Sequence, residues 1–160
     1  MNHSAQSNGA LIQAAALVST LAGCVIQPRP KPPPVDPAIM VQAARTFYAG
    51  IERSLRSGDR AALLRLFSAD GLLMVLDGVT THYTPAALDS LYGPAWQPPA
   101  YFAWDSLRFE VLPPDHLAVL GEIRWLDVGA RDTLRYLYVG LIRAVDSGFA
   151  IRIEHETRAP

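Results

Sequence analysis

Two side chains in this sequence have the type and setting for acid–base chemistry. Asp77 follows the apolar run Leu72-Leu73-Met74-Val75-Leu76 and, two residues past Val75, shares its strand face. A carboxyl desolvated there would act as a base, whereas an Asp-Gly pair at a strand end is equally the composition of a turn. In Phe149-Ala150-Ile151-Arg152-Ile153-Glu154-His155-Glu156-Thr157, strict alternation puts His155 with Phe149, Ile151, Ile153 and Thr157. Arg152, Glu154 and Glu156 fall on the opposite face. His155 is therefore expected to point toward the apolar side, as a core or pocket-rim group or as a base. His82, His116 and His155 are isolated from one another, and no His, Asp or Glu cluster has metal-ligand spacing, so no metal or other cofactor is expected.

Recognition chemistry has more candidates. Glu122 and Arg124 on one strand and Arg135 on the next can pair across an exposed face, or form a polar pocket wall that grips an anion through the guanidinium fork. Trp104, Trp125, Tyr136 and Tyr138 supply aromatic surface for a core, a ligand pocket or a subunit interface. Phe47, Trp104, Glu122, Arg124 and Tyr138 are the side chains expected to line a pocket if one exists. Trp96, in Pro94-Ala95-Trp96-Gln97-Pro98-Pro99, either plugs the pocket mouth or meets a partner.

These residues need elements to position them. Asp36 and Pro37 open a helix on which Met40, Ala44, Phe47, Ile51 and Leu55 recur on one face until Gly58 stops it. Asp59 caps a second, shorter helix carrying Ala62, Leu63, Leu66 and Phe67 and closed by Gly71. Residues 72–76 read as a strand buried on both faces, and Thr84-Pro85 opens a third helix to about Tyr92. Four β-type runs follow, at about 101–112, 117–127, 133–145 and 149–157, and their short links imply antiparallel neighbours. Helices first and strands afterwards is an α+β arrangement with one sheet curling around the long first helix. Strands 117–127 and 133–143 are apolar almost throughout, so both sheet faces should be covered. The helices can cover only one, which points to a homodimer through the other.

Composition narrows the function. The chain has 160 residues with 14 Lys+Arg against 15 Asp+Glu, which leaves no positive excess for nucleic-acid phosphates. Its single cysteine, Cys24, excludes an internal disulfide.

Cys24 lies near the end of an apolar stretch, Ala10 to Ile26, that is too short to span a bilayer. The segment Leu21-Ala22-Gly23-Cys24 resembles the lipobox of bacterial lipoproteins, although the leader MNHSAQSNGA carries no Lys or Arg. The resemblance implies a signal peptide at 1–23 and a diacylglyceryl group on Cys24. Residues 24–37 then form the lipidated tether, with prolines at 28, 30, 32, 33, 34 and 37 favouring extended polyproline II. At roughly 3.1 Å per residue the tether holds the following domain some 30 to 40 Å from the membrane. Val25 after the cysteine, rather than aspartate, implies the outer membrane, facing the periplasm.

Residues 38–160 resemble the nuclear transport factor 2-like superfamily, particularly its SnoaL-like branch. The likeness rests on the order of elements, on the segment from Leu55 through Gly58-Asp59 to Phe67, and on the ending with Phe149, Ile151, His155 and Thr157. It implies a cone-shaped, cystatin-like fold with a curved antiparallel sheet wrapped around the N-terminal helix. Aligned on Gly58-Asp59, Phe67 and Asp70, the pattern of the superfamily's ketosteroid isomerases puts the base at Val75, the oxyanion-hole tyrosine at Ile51 and the second acid near Gly140. None of the three can do that chemistry. The leading expectation is thus a lipid-anchored, pocketed domain that binds a small molecule or partner without turning it over. The alternatives are a SnoaL-like isomerase, cyclase or hydrolase using Asp77 or His155, and an interaction module of an envelope assembly.

Overall fold

The computed structural model describes residues 36–160; Cys24, the leader and nearly all of the tether lie outside them. Helix α1 spans Pro37–Ser57. The Asp36 side chain accepts from the Ala38 amide at 2.8 Å, Pro37 stands at the first turn where its missing N–H costs nothing, and Gly58 ends the helix at φ 67°. Asp59 caps the one-and-a-half-turn α2, Arg60–Leu64. Strands β1, Leu72–Leu76, and β2, Val79–Tyr83, precede α3, Pro85–Leu91, and β3, Tyr101–Leu112, β4, His116–Leu126, β5, Leu134–Val145, and β6, Gly148–Arg158, complete the domain.

The six strands form one curved, unclosed sheet in the order β2-β1-β6-β5-β4-β3. The run from β3 to β6 is antiparallel throughout, as the short links require, while β1 pairs parallel to β6. β2 has no counterpart among the expected strands. Asp77 and Gly78 both take positive φ, 47° and 84°, the two-residue turn that returns a chain on itself, and β-branched Val79, Thr80 and Thr81 then pair back along β1. β1 is not buried on both faces: Leu72 is fully buried, but Leu76 is 42% exposed.

The core lies between α1 and the concave side of the sheet. α1 contributes Met40, Ala44, Tyr48, Ile51 and Leu55, so Tyr48 rather than Phe47 carries the centre of the stripe; Phe47 lies at its flank. On β5 Tyr138 and Ile142 face inward, beside the buried Leu117, Val119 and Ile123 of the adjacent β4. The convex side is open, with Leu120, Leu137 and Val139 at 48%, 49% and 44% exposure.

Candidate functional site

An irregularity in one strand decides what the concave side displays. Leu141 pairs with Ile153 and its neighbour Ile142 with Ile151, so Arg152 is an extra residue on β6, a β-bulge. Its guanidinium Nη1 donates to the Gly71 carbonyl at 2.9 Å. Beyond a bulge the faces of a strand exchange. Phe149 and Ile151 face the core before it; Glu154 and Glu156 turn into the cone after it.

His155 therefore does not share the side of Phe149 and Ile151. It is exposed on the convex face opposite Val139, its Nε2 paired with Thr157 Oγ1 at 3.1 Å. Asp77 sits in the β1–β2 turn, where its Oδ1 accepts from the Arg158 amide at 2.8 Å, and it does not line the cone. Glu122 and Arg124 lie on the convex side. Arg124 Nε donates to Asp105 and Arg135 Nη2 to Glu122, each at 2.6 Å, so neither guanidinium is offered to a ligand in the cone.

The concave side encloses a chamber of about 130 Å³. Ile51 and Leu55 of α1, with Leu63, Leu66, Ile123 and Ile151, make its aliphatic wall, and Phe67, Tyr92, Phe102, Trp104 and Trp125 its aromatic one. Phe102 and Trp104 meet edge to face at 5.1 Å, Phe102 and Trp125 at 5.8 Å, and Phe67 stacks on Tyr92 at 6.0 Å. Trp96 packs edge to face on Tyr92 at 5.2 Å. Of the side chains expected in a pocket, Trp104 lines this one. Phe47 packs instead on Tyr48 and Phe149, and Tyr138 lies behind the wall.

Tyr138 nonetheless shapes the chemistry. Its hydroxyl, 3.2 Å from Glu154 Oε1, donates to that carboxylate oxygen and lies 3.0 Å from the Tyr48 hydroxyl. Both rings are fully buried, and burial pushes both phenols well above their ordinary range. The relay fits because Gly140, opposite Glu154, has no side chain: a Cβ there would meet the Tyr138 hydroxyl at 2.5 Å and that of Tyr48 at 2.8 Å.

Glu154 and Glu156 are the only polar residues of the lining apart from Tyr92 and the two indoles. Both are half-buried, with part of each side chain still accessible along the cavity. Burial, reinforced by the charge of Glu156, raises the Glu154 carboxyl to about 8 against the pull of the Tyr138 hydrogen bond. Burial and the charge of Asp77 raise Glu156 to about 7. The pair thus exchanges protons near neutrality, as a general acid or base must.

At the three positions singled out by the isomerase pattern, Ile51 lines the chamber, Gly140 frees space for the tyrosine pair, and Val75 pairs with His155 across β1 and β6. Among the described residues no group of three or more His, Cys, Asp or Glu side chains stands together as a metal site would. No described helix is long and apolar enough to cross a membrane.

No protein-family model matches the chain, and no curated protein does. Solved structures do. An NTF-2 like protein of unknown function from Shewanella oneidensis aligns over 73% of this chain and 98% of its own, with 14% identity and a TM-score of 0.63. An NTF2-like protein from Cytophaga hutchinsonii covers 78% of this chain and 100% of its own at 12% identity and a TM-score of 0.61. A protein of unknown function with a cystatin-like fold from Nostoc punctiforme covers 77% and 93% at 12% identity and 0.62. The fold is therefore the nuclear transport factor 2-like, cystatin-like cone; at these identities the likeness says nothing of activity.

Proposed function

We propose that this chain is a lipid-anchored envelope protein whose cone binds a small, compact molecule in the chamber closed by Glu154 and Glu156. The observation that carries the reading is a mostly apolar cavity whose lining includes two acids, the combination of apolar surface and few placed polar groups that marks ligand sites. The volume bounds the ligand, since an apolar cavity of about 150 Å³ accommodates a benzene ring. Native mass spectrometry of the gently purified chain tests the idea: a retained mass that is lost when Ile123 is replaced by Trp supports it, and a ligand that survives a filled chamber overturns it.

Anchoring rests on the Leu21-Ala22-Gly23-Cys24 segment and the proline run behind it. The open convex face, with Leu120, Leu137 and Val139, suits a second copy of the chain, and a dimer in solution that Val139→Lys dissociates is the expected result.

A second reading is favoured by the raised carboxyls. Glu154, in place of Asp77 or His155, would move a proton on a bound molecule as an isomerase or dehydratase base does. Turnover lost in Glu154→Gln with ligand still bound would select it.

A further inference from the structure

We infer that the ligand of this chamber is a small organic cation, an amine whose ammonium group sits between Glu154 and Glu156 against the aromatic wall. The inference rests on the proposed pocket function and specifies its chemistry. Three features carry it. No Arg, Lys or His lines the chamber, so its two acids have no basic partner inside. Cations on the neighbouring elements are engaged elsewhere: Arg152 on the Gly71 carbonyl, Arg56 on the Phe102 carbonyl, Arg60 on the Tyr92 carbonyl and Asp89, and Arg124 and Arg135 on Asp105 and Glu122 of the convex side. Glu154 Oε1 has the Tyr138 hydroxyl, but no side-chain donor reaches Glu154 Oε2 or either Glu156 oxygen among the described residues.

The electrostatics select the ligand's charge. Two carboxyls in a low-dielectric pocket repel when both ionise; a cation relieves that repulsion, a neutral guest leaves it and an anion adds to it. The aromatic lining, Trp104, Tyr92 and Phe67 among it, favours the same sign, since aromatic quadrupoles attract cations over apolar surface. Other groups around the pair do not compensate it: Tyr138 and Tyr48 behind the wall, Tyr92 in the lining, Tyr83 on β2 and Asp77 in the turn carry no positive charge. Arg158, two residues past Glu156 on the same strand, is exposed and outside the lining, and no hydrogen bond or ion pair joins its guanidinium to either acid. Binding a cation drives the pair to its ionised form, so protons leave as the ligand enters.

Calorimetric titration of the full chain in detergent, with cyclopentylammonium, cyclopentanone and cyclopentanecarboxylate, tests this with one ring and three charges. Cyclopentylammonium should bind at least about tenfold tighter than the ketone. At about pH 6 its heat should depend on the buffer, revealing net proton release that fades by about pH 9. Glu154→Gln and, independently, Glu156→Gln should remove most of the preference while ketone binding persists. If the ketone binds as tightly as the amine, the acids act as hydrogen-bond donors to a carbonyl and the inference falls, with the pocket reading intact. Preference for the carboxylate has the same effect. Binding of none of the three overturns the inference and the pocket together.

Discussion

Gly140 stands opposite Glu154 on the β5–β6 ladder, and the space above it holds the Tyr138 hydroxyl that donates to that carboxylate. Replacing Gly140 with Ala forces a Cβ against two buried hydroxyls. A loss of roughly 1–3 kcal/mol in urea unfolding is expected, as for other overpacked cores. The loss should shrink when Tyr138→Phe is added, because the nearer clash disappears.

Raised carboxyls bind protons more tightly in the folded chain than in the unfolded one. Between the ordinary carboxyl range and about pH 8 the native state therefore holds more protons, and stability falls as pH rises through the values near 7 and 8. The full stabilisation is present only below about pH 4, where the carboxyls are protonated in both states. The unfolding free energy should drop from about pH 5 to about pH 8, with a slope below roughly 1.4 kcal/mol per pH unit for each acid, and the melting temperature should fall with it. Glu154→Gln should flatten this slope and leave the variant more stable than the parent at the alkaline end.

Tyr138→Phe strands two groups at once, the Tyr48 hydroxyl and Glu154 Oε1. A cost of about 1–3 kcal/mol is expected from the unpaired buried hydroxyl. The Glu154 carboxyl should titrate higher still, since its one donor to the charged form is gone; carbon-13 NMR of the side-chain carboxyl reads this directly.

His155→Gln should change stability by less than about 0.5 kcal/mol and leave ligand binding as it was. The ring faces solvent on the convex side and contacts only Thr157 through a hydrogen bond. A loss of ligand binding in this variant would contradict the chamber assignment.

Cys24→Ser should abolish incorporation of labelled palmitate and release the chain from the membrane fraction. Retention of label would place the acyl chain elsewhere and remove the anchoring proposal.

Much of the scaffold is legible in the residues themselves. Asp36, Pro37 and Gly58 delimit α1, Asp59 and Thr84 cap the next two helices, and short polar links separate β3 to β6. Local chemistry suffices there because caps and turns are decided within a few residues. Two things are not local. The parallel pairing of β1 with β6 joins residues some eighty positions apart, and nothing in Leu73 or Val75 announces Ile153 or His155 as partner. The orientation of Glu154 and Glu156 depends on a bulge at Arg152 that alternation alone cannot signal; counting by twos from Phe149 puts the acids outside and the histidine inside. Tyr48 is hidden for a simpler reason, since Phe47 and Tyr48 are adjacent, both aromatic, and either can centre a helical stripe.

The bulge at Arg152 makes chamber polarity a matter of chain length rather than composition. Excising that one residue would slide the C-terminal segment by half a pleat, carrying a histidine and a threonine inward and two glutamates out to solvent. Kindred chains that differ by a single indel at this point would thus present opposite interiors while their letters still align almost column for column.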